Sequence, residues 1–106
     1  MEDIKTIDKV TLDEQEHDEV DYDFDIPSAS TLNLLETLKG LNGLSPTQIL
    51  FAADALIHEK YIKENADYLQ VFHYKGVEFW AISNKLKSEP LDKKEHRVIY
   101  LLPEDY

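Results

Sequence analysis

The sequence predicts an α+β fold in which two helices pack on a small antiparallel sheet, with an acidic arm at the N-terminus. Three observations lead there. Apolar residues recur at helical spacing between Leu32 and Ile57, and they form two aromatic and β-branched runs between Tyr68 and Ser83, followed by a last run before Pro103. Acids crowd at one end: residues 1–27 hold eleven acids against two lysines, a net of −9, whereas residues 28–106 hold eleven acids and nine bases, a net of −2. A chain of 106 residues has room for one domain, with a core for roughly 70 to 80 residues.

Taken in order, residues 1–19 are expected to be a disordered acidic arm. Ile4, Ile7, Val10 and Leu12 are scattered among charges, with a short extended piece expected between Ile4 and Leu12, and Asp13 to Glu19 is too polar to bury. The single domain then spans residues 20–106. Val20, Tyr22, Phe24 and Ile26 alternate with Asp21, Asp23 and Asp25, which is the period of a strand with one apolar and one acidic face, and Pro27 ends it. A short helix follows the N-cap candidates Ser28 to Thr31, carried by Leu32, Leu34, Leu35, Leu38 and Leu41 and closed by Gly40 and Gly43.

The second helix has the clearest start. Ser45 is placed to cap it, Pro46 occupies its first turn, Gln48 completes a capping box, and Leu44 with Ile49 forms a hydrophobic staple. Its core stripe is Ile49, Ala52, Ala53, Leu56 and Ile57, and its expected span is Pro46 to about Glu64. Tyr68–Tyr74 and Val77–Ser83 then form a hairpin around Lys75-Gly76. That turn sets Tyr74 opposite Val77, Phe72 opposite Phe79, Val71 opposite Trp80 and Leu69 opposite Ile82, with His73 paired to Glu78. Both faces of the hairpin are apolar, so the face carrying Trp80 needs a further layer. Burial within the monomer is the commoner fate of such a face, and a homodimer through it is the other. Asn84 to Glu95 is expected to be a polar loop, and Arg97 to Leu102 a last strand.

The stretch from Leu34 through Gly43, Ser45-Pro46-Thr47-Gln48-Ile49-Leu50, Ala55 to Ile62 and the Trp80 hairpin resembles a winged-helix domain over about 55 residues. That resemblance implies a helix, turn, helix, hairpin order and a DNA-binding transcriptional regulator as one functional expectation. The helix that would read DNA exposes Thr47, Gln48, Asp54 and Glu59 and no arginine, and the chain lacks a strong basic surplus, so direct nucleic-acid binding is not expected. Separately, Asp67-Tyr68-Leu69-Gln70-Val71-Phe72 is similar to a hexapeptide in an uncharacterised family of small bacterial and phage proteins.

The chemistry legible in the sequence argues against an enzyme. There is no cysteine, which removes disulfides, thiolate zinc sites and a thiol nucleophile. His58-Glu59 opens like a zincin motif but meets Ile62 where the second histidine belongs, and Asp21, Asp23 and Asp25 open like a calcium loop but meet Ile26 and Leu32 where its glycine and glutamate belong. No metal and no cofactor is therefore expected. The acidic start Met1-Glu2-Asp3 and the lack of a long apolar run predict a cytoplasmic protein without a membrane contact.

What remains is partner binding. Alternate side chains of an extended strand project from one face about 6.6 Å apart, comparable to successive phosphates of a nucleic-acid strand. The sequence thus predicts a small acidic regulator or inhibitor, of the sort phages and mobile elements encode, that binds a basic nucleic-acid-handling host protein as a nucleic-acid mimic. Asp18, Glu19, Asp21, Asp23 and Asp25 are the expected charge contacts, Tyr22 and Phe24 the anchors, and Trp80 a contact on the hairpin face.

Overall fold

A computed structural model describes residues 9–15, 19–62, 64–90 and 95–106. Among them are strands β1 (Thr11–Leu12), β2 (Ser28–Ser30), β3 (Leu69–Tyr74), β4 (Val77–Ser83) and β5 (Val98–Leu101), and helices α1 (Leu32–Lys39) and α2 (Pro46–Lys60). The class is α+β, as the patterning predicts. The sheet is wider than the expected hairpin plus one strand: its order is β1-β3-β4-β5-β2, and β2 lies parallel to β5 while the other pairs are antiparallel.

The β3–β4 hairpin has the register its turn dictates. Tyr74 faces Val77, Phe72 faces Phe79, Val71 faces Trp80, and Leu69 faces Ile82. Lys75 (φ 49°) and Gly76 (φ 81°) are both left-handed, the pair of conformations that matches the twist of the flanking strands. Gln70, Phe72, Tyr74, Phe79, Ala81 and Ser83 point toward the helices and are buried. At the centre Phe72 and Phe79 stack with centroids 5.2 Å apart, against Leu34, Leu38, Ile49, Ala53 and Ile57 from the helices.

Helix α2 starts as its sequence requires. The Ser45 hydroxyl accepts from the Gln48 N–H at 3.2 Å, and the Gln48 side chain accepts from the Ser45 N–H at 2.9 Å. Ser45→Ala should therefore lower stability by about 1 kcal/mol, read as a thermal midpoint lowered by roughly 4–8 °C. The helix ends at Lys60, short of the expected Glu64, because the Tyr61 side chain is drawn into the core, where its hydroxyl donates to Gln70 Oε1 at 2.7 Å. Burial pushes the Tyr61 phenol up to about 12, against the opposing pull of the Gln70 bond. For α1, Thr31 alone of the Ser28 to Thr31 cluster is the cap, since Ser28–Ser30 pair with β5 as β2.

Other expectations shift. The short extended piece sought between Ile4 and Leu12 is β1, whose Thr11 and Leu12 pair with His73 and Phe72. Residues 1–8 and 16–18 of the expected arm lie outside the described residues. The expected strand from Val20 to Ile26 is reduced to one bridge, Tyr22 with Leu86. The cause is local: Asp23 Oδ1 accepts from the Asp25 N–H at 2.8 Å, a side-chain turn that breaks a two-residue repeat. The last strand stops at Leu101, and Pro103–Asp105 forms a 3-10 turn whose Asp105 carboxylate accepts from Thr31 and Asn33 at 3.0 and 3.1 Å. No helix among the described residues is long and apolar enough to cross a membrane.

Candidate functional site

Glu19 to Ile26 lies along the far end of β4, fastened on both sides. The Tyr22 N–H donates to the Ala66 carbonyl, the Asp23 N–H to the Lys85 carbonyl, and the Lys87 N–H to the Asp21 carbonyl, all at 2.8–3.0 Å. Side chains reinforce the backbone. Asp21 Oδ1 accepts from the Ala66 N–H at 3.0 Å while its other oxygen meets Lys87 Nζ at 3.2 Å. Asp23 Oδ2 meets Lys85 Nζ at 2.9 Å, and that ammonium also donates to the Leu86 carbonyl.

Lys85 is the largest departure from the sequence reading. Expected in a polar loop, its side chain is only 2% exposed, facing an Asp23 side chain that is 15% exposed. Burial by itself raises the Asp23 carboxyl; the Lys85 bond, the Asp25 N–H and the charges of Lys85 and Lys87 outweigh it and hold the group below the ordinary carboxylate value. The signal was present in the period of β4: Phe79, Ala81 and Ser83 face inward, and Lys85 is the next residue of that parity.

The expected contact residues therefore divide. Asp18 lies outside the described residues. Asp21 and Asp23 are held by lysines of the same chain, so they do not project as a row of free charges. Phe24 is in the core, anchoring its own segment rather than a partner. Glu19 is exposed, and the Asp25 side chain is 93% exposed. Trp80 sits half-buried on the opposite face of the sheet, its Nε1 donating to Glu78 Oε2 at 2.8 Å and its ring edge-on to Tyr106 at 5.6 Å. His73, directly across from Glu78, bonds instead to Asp13 Oδ2, just after β1, at 2.9 Å. Tyr22 approaches Tyr68 at 6.0 Å, and the Tyr68 phenol, raised by the charge of Tyr106 and by the bond between their hydroxyls, links Tyr22 to the Trp80 face through a line of aromatics.

Asp25 stands at a site that sequence reasoning missed. Between the start of β2 and the outer side of α2 is a cleft of about 370 Å³ lined by Phe24, Ile26, Leu50, Phe51 and Tyr100, with Asp25, Asp54 and His58 among its polar groups. His58 sits between the two carboxylates: its Nδ1 is 3.0 Å from the Asp54 carbonyl oxygen and 3.3 Å from Asp54 Oδ2, and its Nε2 is 3.8 Å from Asp25 Oδ1. Tyr100 beneath is pushed well above the ordinary phenol value, by burial first and by the Asp54 charge second. Phe51 is 74% exposed at the cleft. It falls off the stripe Ile49, Ala52, Ala53, Leu56 and Ile57, and a large apolar residue on the polar side of a helix was the available sign.

Among the described residues no three His, Asp or Glu side chains are gathered closely enough to hold a metal ion. A scan against protein-family models, a search of the curated proteins and a search of the solved structures each found no match.

Proposed function

We propose that this protein is a small acidic regulator or inhibitor that acts in the cytoplasm by binding a basic, nucleic-acid-handling protein. One observation supports this most: the cations best placed to mask the acidic surface are engaged within the fold. Lys60 meets Glu14 at 3.0 Å, Lys85 is buried on Asp23, and Lys87 is on Asp21. With 22 acids against 11 bases, what such pairing leaves toward solvent is anionic; near the acidic segment it includes the exposed Glu19, and Asp25 and Asp54, which face His58 rather than a lysine. An anionic surface of this kind accelerates encounter with a basic partner and repels duplex phosphates.

Two measurements test the proposal. In a gel-shift assay the protein should leave generic duplex DNA unshifted at roughly 0.15 M salt, where screening is moderate. Capture of a basic DNA-binding protein by the immobilised full chain should fall at least tenfold between about 0.05 and 0.5 M salt, and duplex DNA should compete for the captured partner. Tight binding of the duplex by the protein itself would replace this function with that of a winged-helix DNA-binding regulator. Capture indifferent to both salt and DNA would remove the electrostatic basis.

A further inference from the structure

The outer edge of β2 and the Phe51 cleft share one surface, and their chemistry is complementary to a single kind of occupant. The Val98 N–H donates to the Pro27 carbonyl and the Thr31 N–H to the Tyr100 carbonyl, both at 3.0 Å. In a parallel ladder with Ser28 opposite Val98 and Ser30 opposite Tyr100, residues 27, 29 and 31 then face β5. The N–H and C=O groups of Ser28 and Ser30 accordingly point away from the sheet. β2 is the last strand on that side, and no described strand pairs with its outer edge. Ser28, Ala29 and Ser30 themselves line the cleft.

From this arrangement we infer that β2 accepts an extended segment of a basic protein as a sixth strand, with an apolar side chain of that segment in the Phe51 cleft and a lysine or arginine at Asp25 and Asp54. The inference rests on the reading of the protein as a binder of basic partners and adds the place and the backbone mode of binding. Spacing supports the pairing of an apolar with a cationic side chain. Asp54 and His58 follow Phe51 by three and seven residues on α2, about 4.5 to 10 Å along the helix axis. Side chains two apart on an extended chain are separated by about 6.6 Å, so neighbours on one side of the added strand reach Phe51 and the carboxylates together.

Charge selects this edge over the other. The cleft between β1 and α2 is lined by Lys9 and Lys60 as well as Glu14 and Glu59 and has no net sign, and of the carboxylates Asp13, Glu14 and Asp67 in the cleft past the end of β1, Asp13 is on His73 and Glu14 on Lys60, whereas the cleft beside β2 holds two carboxylates and His58 with no lysine or arginine. With only two outward residues, β2 offers few main-chain bonds, so the cleft and the carboxylates must supply selectivity.

The test uses the full chain, labelled with ¹⁵N, and a capped nine-residue peptide with threonine at odd positions and valine and lysine alternating at even ones. Binding should move the Ser28 and Ser30 amide resonances downfield and slow their hydrogen exchange. Phe51→Ser, a substitution at an exposed site, should weaken the peptide at least tenfold, and Asp25→Asn with Asp54→Asn should remove most of its salt dependence. Of two N-methylated peptides, one methylated at even and one at odd positions, the one whose methyls face β2 should lose at least tenfold in affinity and the other should not. If both bind like the parent, or if the shifts fall on Trp80 and Tyr106, strand addition at β2 is wrong. Salt-sensitive capture of a basic protein that persists in Phe51→Ser would then leave the general function standing with a different docking surface; loss of that capture from the parent protein would remove both.

Discussion

Lys85→Met should lower the folding free energy by about 3 kcal/mol, the low end of the range for breaking a buried ion pair, because Asp23 retains some solvent contact. The loss comes mainly from the carboxylate left behind. Asp23→Asn added to Lys85→Met should recover most of the stability, since the amide oxygen can still accept from the Asp25 N–H while the buried charge is gone. The pH dependence has a fixed sign. The folded-state value of Asp23 lies below its unfolded value of 3.8, so the stabilisation it supplies is complete above about pH 4 to 5 and is lost as pH falls through the folded value. In Lys85→Met, burial without the ammonium raises Asp23, and protonation relieves the variant. Urea unfolding of the two proteins should therefore show a gap that is widest near neutrality and narrows below about pH 4. A constant gap would mean that Lys85 contributes through packing alone.

Phe79→Ala should cost about 3–5 kcal/mol, the range for emptying a large aromatic from a core. Phe79 has no solvent exposure, stacks on Phe72 and sits in the middle of the sheet, where neither helix can move in without leaving its other contacts. A domain of this size is stable by roughly 5–15 kcal/mol, so a thermal midpoint lowered by tens of degrees, or no cooperative unfolding at all, is expected by circular dichroism. Phe51→Ala, an equal deletion at an exposed site on α2, should move the midpoint by only a few degrees.

Where local rules decide the structure, the sequence was readable. The hairpin register followed from Lys75-Gly76 alone because a two-residue turn leaves one pairing, and the start of α2 followed from Ser45, Pro46 and Gln48 because caps act within four residues. Ser28–Ser30 was not readable as a strand. Three small polar residues carry no period, and their assignment comes from Val98 to Tyr100, far along the chain. The acidic alternation from Asp21 to Asp25 was legible as chemistry but misleading as geometry, since lysines at 85 and 87 and the turn at Asp23 took up the charges that a free strand would display. The cleft combines residues of β2, α2 and β5 with the segment before β2, and no pattern within any one of them announces it.

The strand order also constrains how the chain comes into being during synthesis. Both edges of the sheet, β1 and β2, come from the first third of the chain, and both wait for central strands made later: β1 for β3, and β2 for β5 some 70 residues downstream. At about 5–20 residues per second, β2 has no strand partner until roughly 4 to 14 s after it has been made. Through that interval the density of negative charge ahead of β2, with two lysines among eleven acids in residues 1–27, keeps like segments on neighbouring nascent chains apart. The lysines that finally clamp Asp21 and Asp23 arrive just before β5, so those two aspartates and the β2 edge are fastened together as β5 joins the sheet.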